Sequence, residues 1–195
     1  MQQVELPQIG PYTPVRSLGE GSTTYTHLYR HEQRKKYAVI KLTRSPLVTL
    51  AEKEAFLVRA ELLKKLKHRN IAEVQDCGLI PLGEPADDYG YLVIQYAQGS
   101  PLHERFVEGQ SYPPDEVRRI LFPLADALKY AEARHIVHGN LHPGNVMQVE
   151  KDFLLTDFSL PLPDEATQMQ QTRRAHLYRA PEHLRGQVTA ASDQY

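Results

Sequence analysis

Two stretches of the chain hold side chains suited to chemistry on phosphate. The run His138-Gly139-Asn140-Leu141-His142-Pro143-Gly144-Asn145 is followed by Asp157-Phe158-Ser159. An amide carbonyl at Asn145 and a carboxylate at Asp157, on neighbouring loops, make the oxygen pair that a magnesium ion bound to nucleotide phosphates takes as ligands. Singly they have plainer uses, Asn145 as a turn cap and Asp157 as a loop hydrogen-bonding group. Nearer the start, Gly19-Glu20-Gly21 lies between two strand-like runs, where missing side chains let backbone amides approach phosphate oxygens. A Gly-x-Gly in a hairpin also serves as a simple turn. Lys41 ends the run Ala38-Val39-Ile40, so an ammonium is held at the buried end of a strand, where a charge needs a partner. A strand-end lysine can also reach water along its own stem. Its place about twenty residues after the glycine turn makes a shared phosphate the sharper expectation.

These groups need elements to hold them. Tyr12 to Leu18, Tyr25 to Tyr29 and Tyr37 to Leu42 are apolar-rich runs separated by the glycine turn and by the charged stretch His31 to Lys36, which predicts three antiparallel strands. From Thr49 to His68, Phe56, Ala60, Leu63 and Leu66 recur at three- and four-residue spacing and predict a helix with one buried face. Cys77 to Ile80 and Tyr91 to Tyr96 read as a strand pair around the polar loop Gly83 to Gly90. Gln98-Gly99-Ser100-Pro101 then breaks the pattern as a hinge. Pro114-Asp115-Glu116 opens a second helix running to about Arg134, with Val117, Leu121, Leu124, Leu128 and Ala131 expected on its buried face and a kink at Pro123. Short strands are expected at Ile136 to His138, Val146 to Val149 and Phe153 to Thr156.

Bulk properties narrow the function classes. Lys plus Arg number 23 against 24 Asp plus Glu, and a net charge of -1 gives no electrostatic case for nucleic acid or an anionic membrane. The single Cys77 cannot close an internal disulfide, and scattered histidines show no zinc-type spacing, so a reducing, cytoplasmic setting is expected. No apolar run reaches the ~20 residues of a membrane helix. Met1-Gln2-Gln3-Val4-Glu5 lacks the basic and apolar regions of a secretory signal.

Gly19-x-Gly21, Lys41, the loop from His138 to Asn145, Asp157-Phe158-Ser159, Ala180-Pro181-Glu182 and Ser192-Asp193 stand in the order and approximate spacing of the protein kinase family, and the short form resembles bacterial serine/threonine kinases. The resemblance covers residues 12 to 195. It implies an α+β, bilobal fold: a β-rich N-lobe and hinge over 12–97 with one long helix, and a partial, mainly helical C-lobe over 98–195, after an N-terminal extension at 1–11. It further implies ATP and Mg as ligands, and a protein substrate or regulated partner protein. Carried over by position, Gly19 and Gly21 resemble the nucleotide-covering loop, Thr26 and Val39 the residues around adenine, and Lys41 the lysine on the α- and β-phosphates. Ile94 resembles the gatekeeper, Gln95 to Ala97 the hinge that meets the adenine edge, and Asn145 with Asp157 the metal pair.

The departures bear on mechanism. Where the family has the aspartate that accepts the substrate hydroxyl proton, this chain has Asn140, and an amide has no usable proton affinity at neutral pH. Loss of a general base costs about 10²- to 10⁴-fold in rate. The lysine two residues on, which reaches the γ-phosphate, is replaced by His142, and the arginine before the base by Gly139. Arg59 occupies the helix position that should offer a glutamate to Lys41, with Glu52 or Glu61 as substitutes. Thr24, Val39 and Ser159 replace three small family residues, which implies a reshaped nucleotide pocket. Because the chain stops at Tyr195, Glu182 is expected to lack its family partner, a downstream arginine, and the chain to be a fragment of a longer protein.

The leading expectation is an ATP-binding kinase-like domain that is weakly active or inactive. Its rivals are a working serine/threonine kinase, a small-molecule phosphotransferase (whose loop the His138 to Asn145 run also resembles), and a structural remnant that binds no nucleotide.

Overall fold

The computed structural model describes residues 6–21, 23–106, 109–160, 178–182 and 187–194. They fall into two compact units. One holds the described residues up to 64 together with 74–96; the other holds 65–73, 97–160 and the described residues from 178 onward.

The first unit is an antiparallel sheet of β1 (Tyr12–Glu20), β2 (Thr24–His31), β3 (Tyr37–Thr43), β4 (Val74–Leu82) and β5 (Asp87–Gln95) in the order β1-β2-β3-β5-β4, with helix α1 (Leu50–Lys64). Directly paired residues of neighbouring strands share a face. Thr26, Lys41 and Leu92 form one cross-strand row, and Leu28, Val39 and Ile94 the next, all on the same face. The opposite face carries the core cluster of Tyr29, Ala38, Ile40 and Val93, closed by Tyr12 and Ile9. Ile9 is buried and the Tyr29 hydroxyl donates to the Pro7 carbonyl, so residues 7 and 9 of the expected N-terminal extension pack as part of this unit.

Helix α1 starts on a reciprocal cap: the Thr49 hydroxyl accepts from the Glu52 N–H, while the Glu52 carboxylate accepts from the N–H groups of Val48 and Thr49. Phe56, Ala60 and Leu63 are its buried residues, as the spacing predicts. A side chain at Gly90 would bring its Cβ to 2.6 Å from the Phe56 ring. Since Gly90 shares its strand face with Leu92, Phe56 lies over the face that carries Lys41. The helix ends at Lys64, short of the expected His68. Residues 65–73 group with the second unit, interrupting the 12–97 N-lobe of the sequence division. Their hydrogen bonds go elsewhere: Lys67 N–H to the Tyr130 hydroxyl, Asn70 to the Phe153 carbonyl, and Ala72 N–H to the Leu155 carbonyl. Leu66 is therefore buried without being helical.

In the second unit, β6 (Ser100–Pro101), β7 (Val146–Val149) and β8 (Asp152–Leu155) form a small sheet against which α2 (Pro114–Glu132) packs. Pro114 sits where a missing N–H costs nothing, and the helix is continuous through Pro123. Its buried residues are Ile120, Leu124, Ala127 and Ala131. That corrects the expected face: Val117 is 37% and Leu121 54% exposed, because the true stripe runs through Ile120 and Ala127, at i and i+7. The strand expected at Ile136 to His138 is irregular backbone instead, its Ile136 N–H capping the Ala131 carbonyl at the end of α2. Thr156, expected to end the last strand, lies just outside β8.

Candidate functional site

Each unit carries half of the expected residues. In the first, Gly19 pairs with Thr26 at the turn end of β1 and β2, and Thr26 pairs in turn with Lys41. Thr26, Val39 and Lys41 are half-buried, with the buried Ile94 beside Val39. Across these two adjacent rows the face presents a hydroxyl and an ammonium among four apolar residues, Leu28, Val39, Leu92 and Ile94, a surface suited to a flat ring beside an anionic group. Gln95 is exposed at the end of β5. The Gly21 N–H donates to the Thr24 carbonyl at 2.8 Å and closes the turn on itself.

The glutamate substitutes weighed for Lys41 both lie on α1. Glu52 caps α1, and Glu61 accepts from the Cys77 thiol and pairs with Lys64 at 3.5 Å. Arg59 is half-buried on the same helix. Burial, and then the hydrogen bond to Glu61, push the Cys77 thiol up to about 11.

Asn140, His142, Asn145 and Asp157 of the second unit are brought together by bonds that run mostly through backbone. The Asp193 carboxylate accepts from the N–H groups of His138 and Gly139, at 2.7 and 2.8 Å, and anchors the start of the loop. His138 is fully buried; its Nε2 faces the Thr156 carbonyl at 2.8 Å while Nδ1 accepts from the Asn140 N–H at 3.2 Å. Those two bonds select the neutral tautomer with hydrogen on Nε2. Its ring packs on Phe158, with centroids 4.3 Å apart.

Asn145 donates its amide to the Asn140 carbonyl at 2.8 Å, and its own backbone carbonyl accepts from the Thr156 N–H and hydroxyl. With its NH₂ committed to the loop, the Asn145 amide oxygen is the end of the side chain suited to a hard cation, and Asp157 follows Thr156 directly. The donor types fit magnesium. Asp157 takes a positive φ of 63°, which turns the chain sharply between β8 and Phe158.

Asn140 does something a base could not do. Its NH₂ donates to the backbone carbonyl of Asp157 at 3.3 Å, tying the loop to the residue expected to hold metal. A carboxylate has no hydrogen for that contact at neutral pH. His142 accepts from the Gly144 N–H through Nδ1 at 3.1 Å, and shares a small groove with Asn140, Tyr178 and Arg179.

Gly139 has φ +69°, and a Cβ there would lie 2.6 Å from the Ser159 hydroxyl oxygen. The glycine that replaces an arginine and the serine that replaces a glycine therefore share one space. Glu182, expected to lack its family partner, accepts from the Ser192 hydroxyl at 2.7 Å. Ser192-Asp193 stands out in the sequence as a landmark, but the anchoring bonds of the two residues run to partners ten and more than fifty positions away, beyond the reach of local pattern.

The family model described as "Protein kinase domain" matches residues 12–195. A probable serine/threonine-protein kinase of Dictyostelium discoideum, fhkC, is 29% identical over 192 residues, covering 94% of this chain and 31% of that protein. The serine/threonine-protein kinase PknF of Mycobacterium tuberculosis is 28% identical over 199 residues, covering 94% of this chain and 40% of its own length. The chain therefore spans well under half of both relatives. The crystal structure of the M. tuberculosis PknI kinase domain superposes with a TM-score of 0.72 at 28% identity, over 97% of this chain and 70% of that one. With an α+β, bilobal kinase fold and the motifs in family order, the chain belongs to the protein kinase family.

Proposed function

We propose that this chain is an ATP-binding, serine/threonine-kinase-like domain whose phosphoryl-transfer step is weak or lost, and which acts as a binding or regulatory module toward a partner protein. The row of Thr26, Lys41 and Leu92, with Val39 and Ile94 beside it, takes the adenine and phosphates, and Gln95 and Ala97 take the adenine edge. Asn145 and Asp157 hold the magnesium ion, which when bound offsets charge on the phosphates. The observation that carries the weak-transfer part is the Asn140 amide bonded to the Asp157 carbonyl. Here the residue at the base position works as a hydrogen-bond donor and orients the neighbouring loop, while nothing on it can take a hydroxyl proton.

Family membership and the kinase names of its relatives support the ligand pair ATP and Mg and a protein substrate or partner. A net charge near zero supports no role with nucleic acid. Among the described residues no helix is long and apolar enough to cross a membrane, and with one cysteine a cytoplasmic setting is part of the same proposal.

Thermal unfolding with ATP, with and without magnesium, tests the binding half. Ligand at about 100 times its Kd adds ~2.7 kcal/mol of stability, or about 5–10 °C for a chain of this size. The rise should need magnesium and vanish in Lys41→Ala and Asp157→Ala. A folded protein that shows no shift with any nucleotide would leave only a structural role.

A further inference from the structure

We propose that Arg44 is a positioning residue that latches the glycine turn into its ligand-ready shape. The proposal rests on the nucleotide-binding reading above. The turn joining β1 and β2 has little to hold it, since β1 is exposed from Arg16 to Glu20 and no apolar side chain there is buried. Arg44 follows directly on β3, three residues after Lys41, and grips both arms of the turn. Its N–H donates to the Thr23 carbonyl at 2.9 Å and its guanidinium donates to the Gly21 carbonyl at 3.0 Å. The other guanidinium nitrogen lies 3.6 Å from the Glu20 carboxylate, and the group sits over the Tyr25 ring at 4.7 Å. Tyr25 in turn stacks on His27, with centroids 6.1 Å apart, and His27 is buried in the sheet.

The direction of the grip gives it functional meaning. Tyr25 pairs with Leu42, on the face opposite the row of Thr26, Lys41 and Leu92. Arg44 thus holds the turn from the far side and does not crowd the face where the phosphates are placed. A loop ordered beforehand spares the ligand the entropic cost of ordering it, so the latch acts on affinity, chiefly by slowing release. A fork that stacks on an aromatic ring while donating to a carbonyl is a task for arginine that lysine does not reproduce.

Hydrogen exchange and nucleotide titration on the same samples test this, using the whole chain, its Arg44→Gln and Arg44→Lys variants, and Lys41→Ala. Loss of one charge-assisted hydrogen bond and one cation–π contact should speed exchange of the Gly21 and residue-44 amides about 3- to 10-fold and weaken Mg-ATP binding by a similar factor in both Arg44 variants. Lys41→Ala should lose nucleotide with exchange in the turn unchanged. Unaltered exchange in Arg44→Gln overturns the latch whatever the nucleotide does. Faster exchange with unaltered affinity overturns its part in binding. A parent chain with no nucleotide affinity overturns the reading of the site and the positioning role with it, while the exchange rates still decide whether the latch exists.

Discussion

Replacing Asn140 with aspartate is the sharpest test of the proposal that this domain transfers phosphate poorly, because the structure predicts two opposed effects. The exchange is nearly isosteric and leaves the backbone bonds of residue 140 in place: its N–H to His138 Nδ1 and its carbonyl accepting from Asn145. It removes the donor that reaches the Asp157 carbonyl at 3.3 Å and sets a carboxylate oxygen against that carbonyl oxygen. The lost bond and the new repulsion together cost about 1–2 kcal/mol, which should lower the melting temperature by about 2–8 °C. A restored base contributes about 10²- to 10⁴-fold in rate. Misplacement worth the same 1–2 kcal/mol removes about 5- to 30-fold of that, leaving a net gain of about 3- to 2000-fold. Transfer of labelled γ-phosphate to a generic protein substrate, measured beside a melting curve, reads both effects. Asn140→Ala serves as the control that loses the bond without gaining a base, so its melting temperature should fall and its transfer should not rise. No gain in Asn140→Asp with nucleotide binding intact would refute the base as the limiting defect and turn attention to Arg59 and His142. An unchanged melting temperature would refute the structural part of the argument.

Three further outcomes follow from the geometry. Gly139→Ala should lose about 2–3 kcal/mol in urea unfolding, from the left-handed φ and the overlap with Ser159; adding Ser159→Gly should recover only the overlap share, about 1 kcal/mol, and full recovery would mean the backbone is unstrained. Burial holds His27 below the ordinary histidine value of 6.5, opposed by the nearby Glu20 charge, so the unfolded chain takes up its proton first. Stability should accordingly be full above pH 6.5 and decline as pH falls through the depressed folded value, and His27→Phe should flatten that decline; equal slopes in both proteins would remove His27 as the cause. With its thiol at about 11, Cys77 should alkylate at pH 7.5 at least ~10-fold more slowly in the folded than in the unfolded chain, and similar rates would contradict its burial beside Glu61.

Much of this domain is legible in local pattern. Apolar-rich runs mark β2, β3 and β5, the spacing of Phe56, Ala60 and Leu63 marks α1, and side-chain chemistry makes Lys41, Asn145 and Asp157 candidates, because runs and helix periods are properties of neighbouring residues. Pattern is blind to partners distant along the chain. The buried stripe of α2 passes through Ile120 and Ala127 where Leu121 looked equally apolar, a choice made by the sheet it packs on. Leu66 keeps the helical spacing but leaves the helix, since the backbone of 65–73 finds its bonds on α2 and β8. Asp193 anchoring His138 and Gly139, Ser192 serving Glu182, Arg44 reaching back to Gly21, and Asn140 turned into a donor toward Asp157 all join residues ten or more positions apart. Amino-acid order alone thus determined the elements and the chemical groups available. Which group bonds which was decided by tertiary structure, because buried donors and acceptors must each find a partner and only the packed chain brings those partners within reach.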